Sequence, residues 1–296
     1  MNRKVNVIIN CYNGEKYLKD AIDSVINQTY EEWEIIFWDN ASTDKSKKIL
    51  KEYDDKRIKY FYSKEHTSQY EARKRAVQKT DKELICFLDV DDWWESTKLE
   101  SQVKLFNDLD VGFACSNYWI INERKNSKKI AFKNIPTGYV TNELLKKNFI
   151  GMSTLMIRRD CYFSLVPGFN PKFEIIGDYD LSLRLSLKYK LACTPDIECF
   201  YRWHGGNLGY LKFTLNMKEL TTWIKDRTIE NDEITKLRNF NYLKNYVLFY
   251  SGIACIKDNN RKSAFKKILH MNSPYFILKL IIVLSIPIAL INKMRS

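Results

Sequence analysis

Three short apolar runs mark the first ninety residues: Val5–Ile9, Glu34–Trp38 and Leu84–Leu88. Each is about five residues long, rich in β-branched or aromatic side chains and without clean alternation, the pattern of parallel strands buried on both faces. Between the first two, Tyr17, Leu18, Ala21, Ile22, Val25 and Ile26 recur at helical spacing and define one apolar face. Strand, helix and strand within about thirty-five residues make a βαβ unit with a right-handed crossover. The pattern predicts an α/β fold with a Rossmann-like, mostly parallel central sheet flanked by helices.

From about 111 to 203 the chain offers three more strand-like pieces, Val111–Tyr118, Ser153–Ile157 and Ile197–Tyr201. Leu181, Leu183, Leu185 and Leu187 alternate like a half-buried strand, yet the run to Leu191 lacks β-branched residues, so composition favours a helix there. Beyond residue 210 the pattern turns helical, at Tyr242–Ile256 and Ser263–Met271. It ends in the largely apolar stretch Tyr275–Ile291, interrupted by Lys279 and Pro287. The expected organisation is one domain over 1–210, with halves at 1–110 and 111–210, and a helical extension over 211–296.

Charge sharpens this division. The net charge is +12, but nine of the 48 basic residues and only one of the 36 acids lie beyond residue 239. A basic, apolar appendage on a near-neutral body is not the uniform cationic surface of a nucleic-acid binder. Seven scattered cysteines without a Cys-x-x-Cys pair, and three unclustered histidines, argue against a structural zinc site or a disulfide framework. Met1-Asn2-Arg3-Lys4 leads straight into an apolar strand pattern, which sets the reduced cytosol as the expected compartment.

In doubly wound sheets, ligands sit beyond the carboxyl ends of the strands. Each of the three runs leads into polar or acidic residues: Asn10-Cys11-Tyr12-Asn13-Gly14, Asp39-Asn40-Ala41-Ser42-Thr43-Asp44, and Asp89-Val90-Asp91-Asp92. Two carboxylates spaced as Asp89 and Asp91 can hold Mg²⁺ or Mn²⁺, hard cations that keep positions open for phosphate oxygens. A solvated acidic turn before a helix accounts for the spacing equally well. Gly177-Asp178-Tyr179-Asp180 reads as a helix start with an N-cap acid, or as a general base facing a hydroxyl. Tyr201-Arg202-Trp203-His204-Gly205-Gly206 reads as a packed surface pair, or as a cation and imidazole closing over a diphosphate.

Taken together and in order, these segments resemble the family 2 glycosyltransferases over roughly residues 4–207. The resemblance rests on Val5–Asn13, Ala21–Tyr30, Glu34–Asp44, Leu88–Trp93, Asp178–Leu181 with Arg184, and Tyr201-Arg202 with His204. It implies a glycosyltransferase A fold and a nucleoside-diphosphate sugar donor, a UDP-sugar being the expected one. By the same resemblance, Tyr12, Asp39 and Asn40 hold base and ribose, and Arg73 contacts the nucleotide. Asp89 lies near ribose and sugar, Asp91 ligates Mg²⁺ or Mn²⁺, Asp178 is the catalytic base of an inverting displacement, and Arg202 and His204 approach the diphosphate. The chain departs from the family pattern at Asn10-Cys11, Asn40, Lys74 and Gly177, where Pro-Thr, Asp, Asn and Glu are usual.

The resemblance also suggests a glycan or lipid-linked glycan acceptor in bacterial surface polysaccharide synthesis. A spanning helix needs ~20 apolar residues, so the tail at about 275–291 is expected to lie on the cytoplasmic face of the membrane rather than cross it. Its basic flank, Arg261, Lys262, Lys266 and Lys267, suits anionic lipid. The alternative is a C-terminal helix pair packed within the protein. Competing functions are a metal-dependent nucleotidyltransferase, a glycoside hydrolase, and a catalytically degenerate or adaptor protein that binds a membrane.

Overall fold

The computed structural model of the protein describes residues 3–207 and 212–286. The three apolar runs form β1 (Val5–Cys11), β2 (Trp33–Asp39) and β4 (Leu84–Asp89), each extended by one or more residues into the polar segment beyond it or the residue before it. Val5, Val7, Ile9, Ile35, Phe37, Leu84 and Cys86 are fully buried. Each such side chain contributes roughly 1.5–3 kcal/mol on leaving water. Helix α1 (Leu18–Ile26) buries Leu18, Ala21, Ile22 and Val25, the face its spacing defines. Strand β3 (Ile58–Tyr62) completes a parallel set in the order β3-β2-β1-β4.

Beyond β4 the sheet is mixed. Strand β8 (Met156–Arg158) pairs antiparallel with β4 and with β6 (Val111–Asn122), and β9 (Lys190–Trp203) runs parallel to β6. Short strands β5 (Trp93–Trp94) and β7 (Ser127–Ile130) pair with β9 and β6. The parallel pairing expected of the sheet therefore holds across its first four strands and again between β6 and β9. The strand expected over Ser153–Ile157 begins only at Met156, because Met152–Thr154 forms a 3₁₀ turn. Thr154 donates its backbone N–H and its hydroxyl to the Gly151 carbonyl, at 3.0 and 2.7 Å, and such local bonds compete with a ladder. The leucine-rich run is helical over α7 (Gly177–Lys188), whereas Leu191 belongs to β9.

The chain divides into two compact units, Met1–Val140 with Phe149–Asn207, and Thr141–Asn148 with Leu208–Ser296. The first contains the sheet, α2 (Ser46–Leu50), α3 (Gln69–Val77), α4 (Lys98–Leu105), α6 (Arg159–Phe163), α1 and α7. The second contains α5 (Thr141–Lys146), α8 (Phe213–Ile229), α9 (Phe240–Lys257), α10 (Arg261–Ile268) and α11 (Pro274–Ser285). Its core joins Phe249 and Ile256 of α9 to Ala264, Phe276 and Leu280. A Cβ at Gly252 would lie 2.8 Å from Leu280, so glycine lets α9 and α11 approach. Asn245 fixes the turn between α10 and α11, accepting from the N–H groups of Asn272 and Ser273 at 3.0 and 3.1 Å. Residues 287–291 of the expected apolar tail lie outside the described residues.

Candidate functional site

The carboxyl ends of β1, β2 and β4 lie side by side, since Cys11 is in register with Asp39 and Asn10 with Asp89. The Asn40 N–H donates to the Cys11 carbonyl at 2.8 Å and locks the first two ends together. Asp39 is buried there. Its carboxylate accepts the Ser42 N–H at 2.8 Å and the Tyr60 hydroxyl at 2.9 Å. Asn40 is buried too, donating to the Thr67 carbonyl at 2.8 Å and accepting from its hydroxyl at 3.0 Å. Both side chains thus shape the loops of the crevice, while Tyr12, half exposed, presents its ring beside that of His66 at 3.9 Å.

Helix α3 starts at Ser68, whose hydroxyl caps the Glu71 N–H, and it aims Tyr70 and Arg73 along one face, as residues three apart on a helix must. Arg73 is buried and pairs with Asp89. Tyr70 donates its hydroxyl to Asp178 Oδ1 at 3.0 Å, and the Tyr179 N–H donates to the same oxygen at 2.8 Å. Asp178 sits in the first turn of α7, where the helix dipole favours a carboxylate. The preceding Gly177 is required by packing: a Cβ there would lie 2.5 Å from the Tyr70 ring.

Asp89, Asp91 and Asp92 can each bring a carboxylate oxygen within 4.8 Å of the others. Asp92 turns inward, accepting the Ser153 hydroxyl at 2.5 Å and the Arg202 N–H at 2.9 Å. His204 Nδ1 accepts the Gly206 N–H at 3.2 Å, which places the proton of the neutral ring on Nε2. That nitrogen donates to Asp91 Oδ2 at 3.1 Å. Gly205, at φ 80°, allows this tight turn, and Asn207 closes it by donating to the Arg202 carbonyl at 2.9 Å. Among the described residues, the Arg202 guanidinium makes no hydrogen bond to the carboxylates of Asp89, Asp91 or Asp92. It donates to the Asp91 carbonyl, to Glu123 and to Asp20, at 2.9, 2.9 and 2.6 Å.

The electrostatics reflect this crowding. Burial, then the Asp89 charge, pushes the Asp91 carboxyl above the usual range, and His204 works against the shift. Burial, reinforced by Asp91 and Asp89, pushes Asp92 well above it. Burial also raises Asp178, opposed by the nearby Arg73 cation. Three acids that repel one another in a polar crevice form a donor set for a hard divalent cation, which oxygen ligands suit. With both oxygens of Asp92 engaged inward, Asp89 and Asp91 are the residues that fit such an ion.

Of the residues expected at the site, Arg73 and Asp178 meet through Tyr70, and Asp91 meets His204. Tyr12, Asp39 and Asn40 gather at the neighbouring strand ends. Spacing gave no role to Asp92 beyond its charge, and none to Tyr70, Ser153, Asp20 or Glu123. Tyr70 carried a readable signal, three residues before Arg73 on one helix face. Glu123 comes after a strand in a polar hairpin and Asp20 lies on the solvent side of α1, positions where acids are ordinary.

The pattern of matches to known proteins agrees with this geometry. The family model "Glycosyl transferase family 2" matches residues 6–163. WfaP of Escherichia coli, named as a UDP-Glc:alpha-D-GlcNAc-diphosphoundecaprenol beta-1,3-glucosyltransferase, is 30% identical over 212 residues, 71% of this chain and 81% of that one. TuaG of Bacillus subtilis, named for teichuronic acid biosynthesis, is 32% identical over 158 residues, 53% of this chain, and the match spans 62% of TuaG. In structure, the mannosyltransferase PcManGT from Pyrobaculum calidifontis, in complex with GDP-Man and Mn²⁺, superposes with a TM-score of 0.63 at 15% identity. That likeness covers 99% of this chain and 84% of that one. S. aureus TarS 1-349 in complex with UDP gives 0.57 at 15% identity, over 89% and 87%. These likenesses show the glycosyltransferase A fold. With an aspartate-rich turn at the end of β4 and a family match across more than half its length, the chain belongs to glycosyl transferase family 2.

Proposed function

We propose that the protein transfers a sugar from a nucleoside-diphosphate sugar to a hydroxyl of a lipid-linked glycan in bacterial surface polysaccharide synthesis. The observation that carries this reading is the pairing of an open aspartate turn with a second carboxylate, Asp178, tied to the same crevice through Arg73 and Tyr70. WfaP, named for UDP-Glc and a diphosphoundecaprenol-linked GlcNAc, supports a UDP-sugar and a lipid-linked acceptor. Tyr12 stacks on the base beside loops held by Asp39 and Asn40. Asp91 and Asp89 would hold Mg²⁺ or Mn²⁺, which when bound neutralises charge growing on the departing diphosphate. His204 keeps Asp91 oriented, and Arg73 holds Asp89.

Among the described residues, Asp178 Oδ2 has no hydrogen-bond partner and is the oxygen available to an acceptor hydroxyl. As the acceptor oxygen bonds to the anomeric carbon, its proton passes to Asp178 and the bond from that carbon to the diphosphate oxygen breaks. Attack from the face opposite the leaving group inverts the anomeric centre. Release of UDP from a UDP-sugar only when a lipid-linked acceptor is present tests the reading. Release of pyrophosphate from a nucleoside triphosphate would replace it with the nucleotidyltransferase.

The second unit suits work at the cytoplasmic face of a membrane. Helix α11 buries Phe276 and Leu280, while Tyr275, Leu278, Ile281 and Ile282 on its other side are 48–60% exposed, beside Lys279. Phe265 and Leu269 are likewise exposed on or next to the basic helix α10. No helix among the described residues is long and apolar enough to cross a membrane. Apolar burial together with attraction to anionic lipid accounts for such a surface. Flotation of the full chain with phosphatidylglycerol vesicles, and its loss in Leu278→Asp/Ile282→Asp, is the expected result. Equal flotation of the variant would remove this role.

A further inference from the structure

Arg202 is held from every side within the sheet-bearing unit. Its side chain is only 12% exposed. Nε donates to the Asp91 carbonyl at 2.9 Å, Nη1 to Glu123 at 2.9 Å and Nη2 to Asp20 at 2.6 Å. The guanidinium lies between the rings of Tyr17 and Trp93, 4.5 and 4.4 Å from their centroids. Its backbone N–H reaches Asp92, so one residue grips the turn at two successive aspartates. Glu123 is itself fixed, accepting the Tyr17 hydroxyl at 2.8 Å. A guanidinium so placed has its fork turned to two carboxylates and its inner edge to a peptide carbonyl.

We propose that Glu123 and Asp20 are positioning residues for the cation site: they hold Arg202 on the Asp91 carbonyl and so keep the Asp91 carboxylate aimed into the crevice. This rests on the reading of Asp91 as a cation ligand. The two acids supply the counter-charge that keeps the mostly buried guanidinium in place, each bonded directly to it. Partners that orient a metal ligand from behind commonly change metal affinity by 10–100-fold. The competing role for Arg202, direct contact with the donor diphosphate, makes the opposite prediction. Glu123 and Asp20 would then restrain the cation, and removing their charges would free it to bind the donor more tightly.

The test is calorimetric titration of UDP at graded Mn²⁺ and without Mn²⁺, using wild type, Glu123→Gln/Asp20→Asn and Glu123→Asp. We expect the Mn²⁺ concentration for half-maximal UDP binding to rise about tenfold in the double variant. Metal-free UDP affinity should stay within about twofold, and Glu123→Asp should recover part of the loss. Unchanged melting temperature would separate this effect from loss of fold. Tighter UDP binding, or an unchanged Mn²⁺ dependence in a folded double variant, overturns the positioning role. Absence of Mn²⁺-dependent UDP binding in the wild type overturns the functional reading itself, and this proposal with it.

Discussion

The hydroxyl of Tyr70 reaches Asp178 at 3.0 Å while its ring occupies the space that a side chain at position 177 would need. The two facts are one device. Tyr70 can orient the carboxylate only because the helix opens on a glycine, so the departure from the family's usual Glu at this position has a packing cause.

Replacing that glycine tests the device. Gly177→Ala places a methyl group 2.5 Å from ring atoms of a fully packed tyrosine. Overpacking of this kind costs typically 1–3 kcal/mol. We expect a melting temperature lower by several degrees and a reduced turnover, with nucleotide affinity little changed. A variant as stable and active as the wild type would show that Tyr70 can move without consequence.

Asp178→Asn should abolish transfer and leave nucleotide binding intact. The amide oxygen can still accept from Tyr70 and from the Tyr179 N–H, so the loop stays in place. The stability effect has a definite sign. A carboxyl raised by burial holds its proton longer in the folded state, so stability falls as pH rises from the ordinary carboxylate value to the raised one and stays lower above it. Below the ordinary carboxylate range both states are protonated and the contribution vanishes. At neutral pH the asparagine variant is therefore expected to melt at or above the wild-type temperature while inactive.

The same shift governs the pH profile of the wild type. A base acts when ionised, so the acid limb of kcat/KM should lie above the pKa of a free aspartate, and rate should fall as pH drops through it. An acid limb at or below the ordinary value would contradict the assignment of Asp178.

Asp92 separates structure from ligation within the aspartate turn. Asp92→Asn can still accept from the Arg202 N–H and offer a donor to the Ser153 hydroxyl, so metal-dependent nucleotide binding should persist. Asp92→Ala removes the acceptor of the Arg202 N–H and of the Ser153 hydroxyl proton, and should destabilise the protein by about 1–3 kcal/mol. Loss of Mn²⁺ dependence in the asparagine variant would make Asp92 a ligand.

Much of the first unit was legible because its strands are buried on both faces, and β1, β2 and β4 therefore appear as unbroken apolar runs. Helix α1 was readable from one clean face. Helix α3 was not, because its inward side carries Arg73 and Tyr70, whose polar ends are satisfied by Asp89 and Asp178 far away in sequence. Edge strand β3 has no fully buried residue to mark it. The 3₁₀ turn at Met152–Thr154 is held by local backbone bonds and the Thr154 hydroxyl, which periodicity does not register. At the site, the aspartates announced themselves by their spacing. The partners that decide what each does, Ser153, Glu123 and Asp20, come from separate elements and carry no local pattern.

Under the proposed function, Asp91, just beyond β4, holds a divalent cation on which nucleotide binding depends. Calorimetric titration of UDP with and without Mn²⁺, on wild type and on Asp91→Ala, tests it most directly. The expected result is Mn²⁺-dependent UDP binding by the wild type and its loss in a folded Asp91→Ala variant. Equal binding by the two proteins, with Mn²⁺ present, would contradict it.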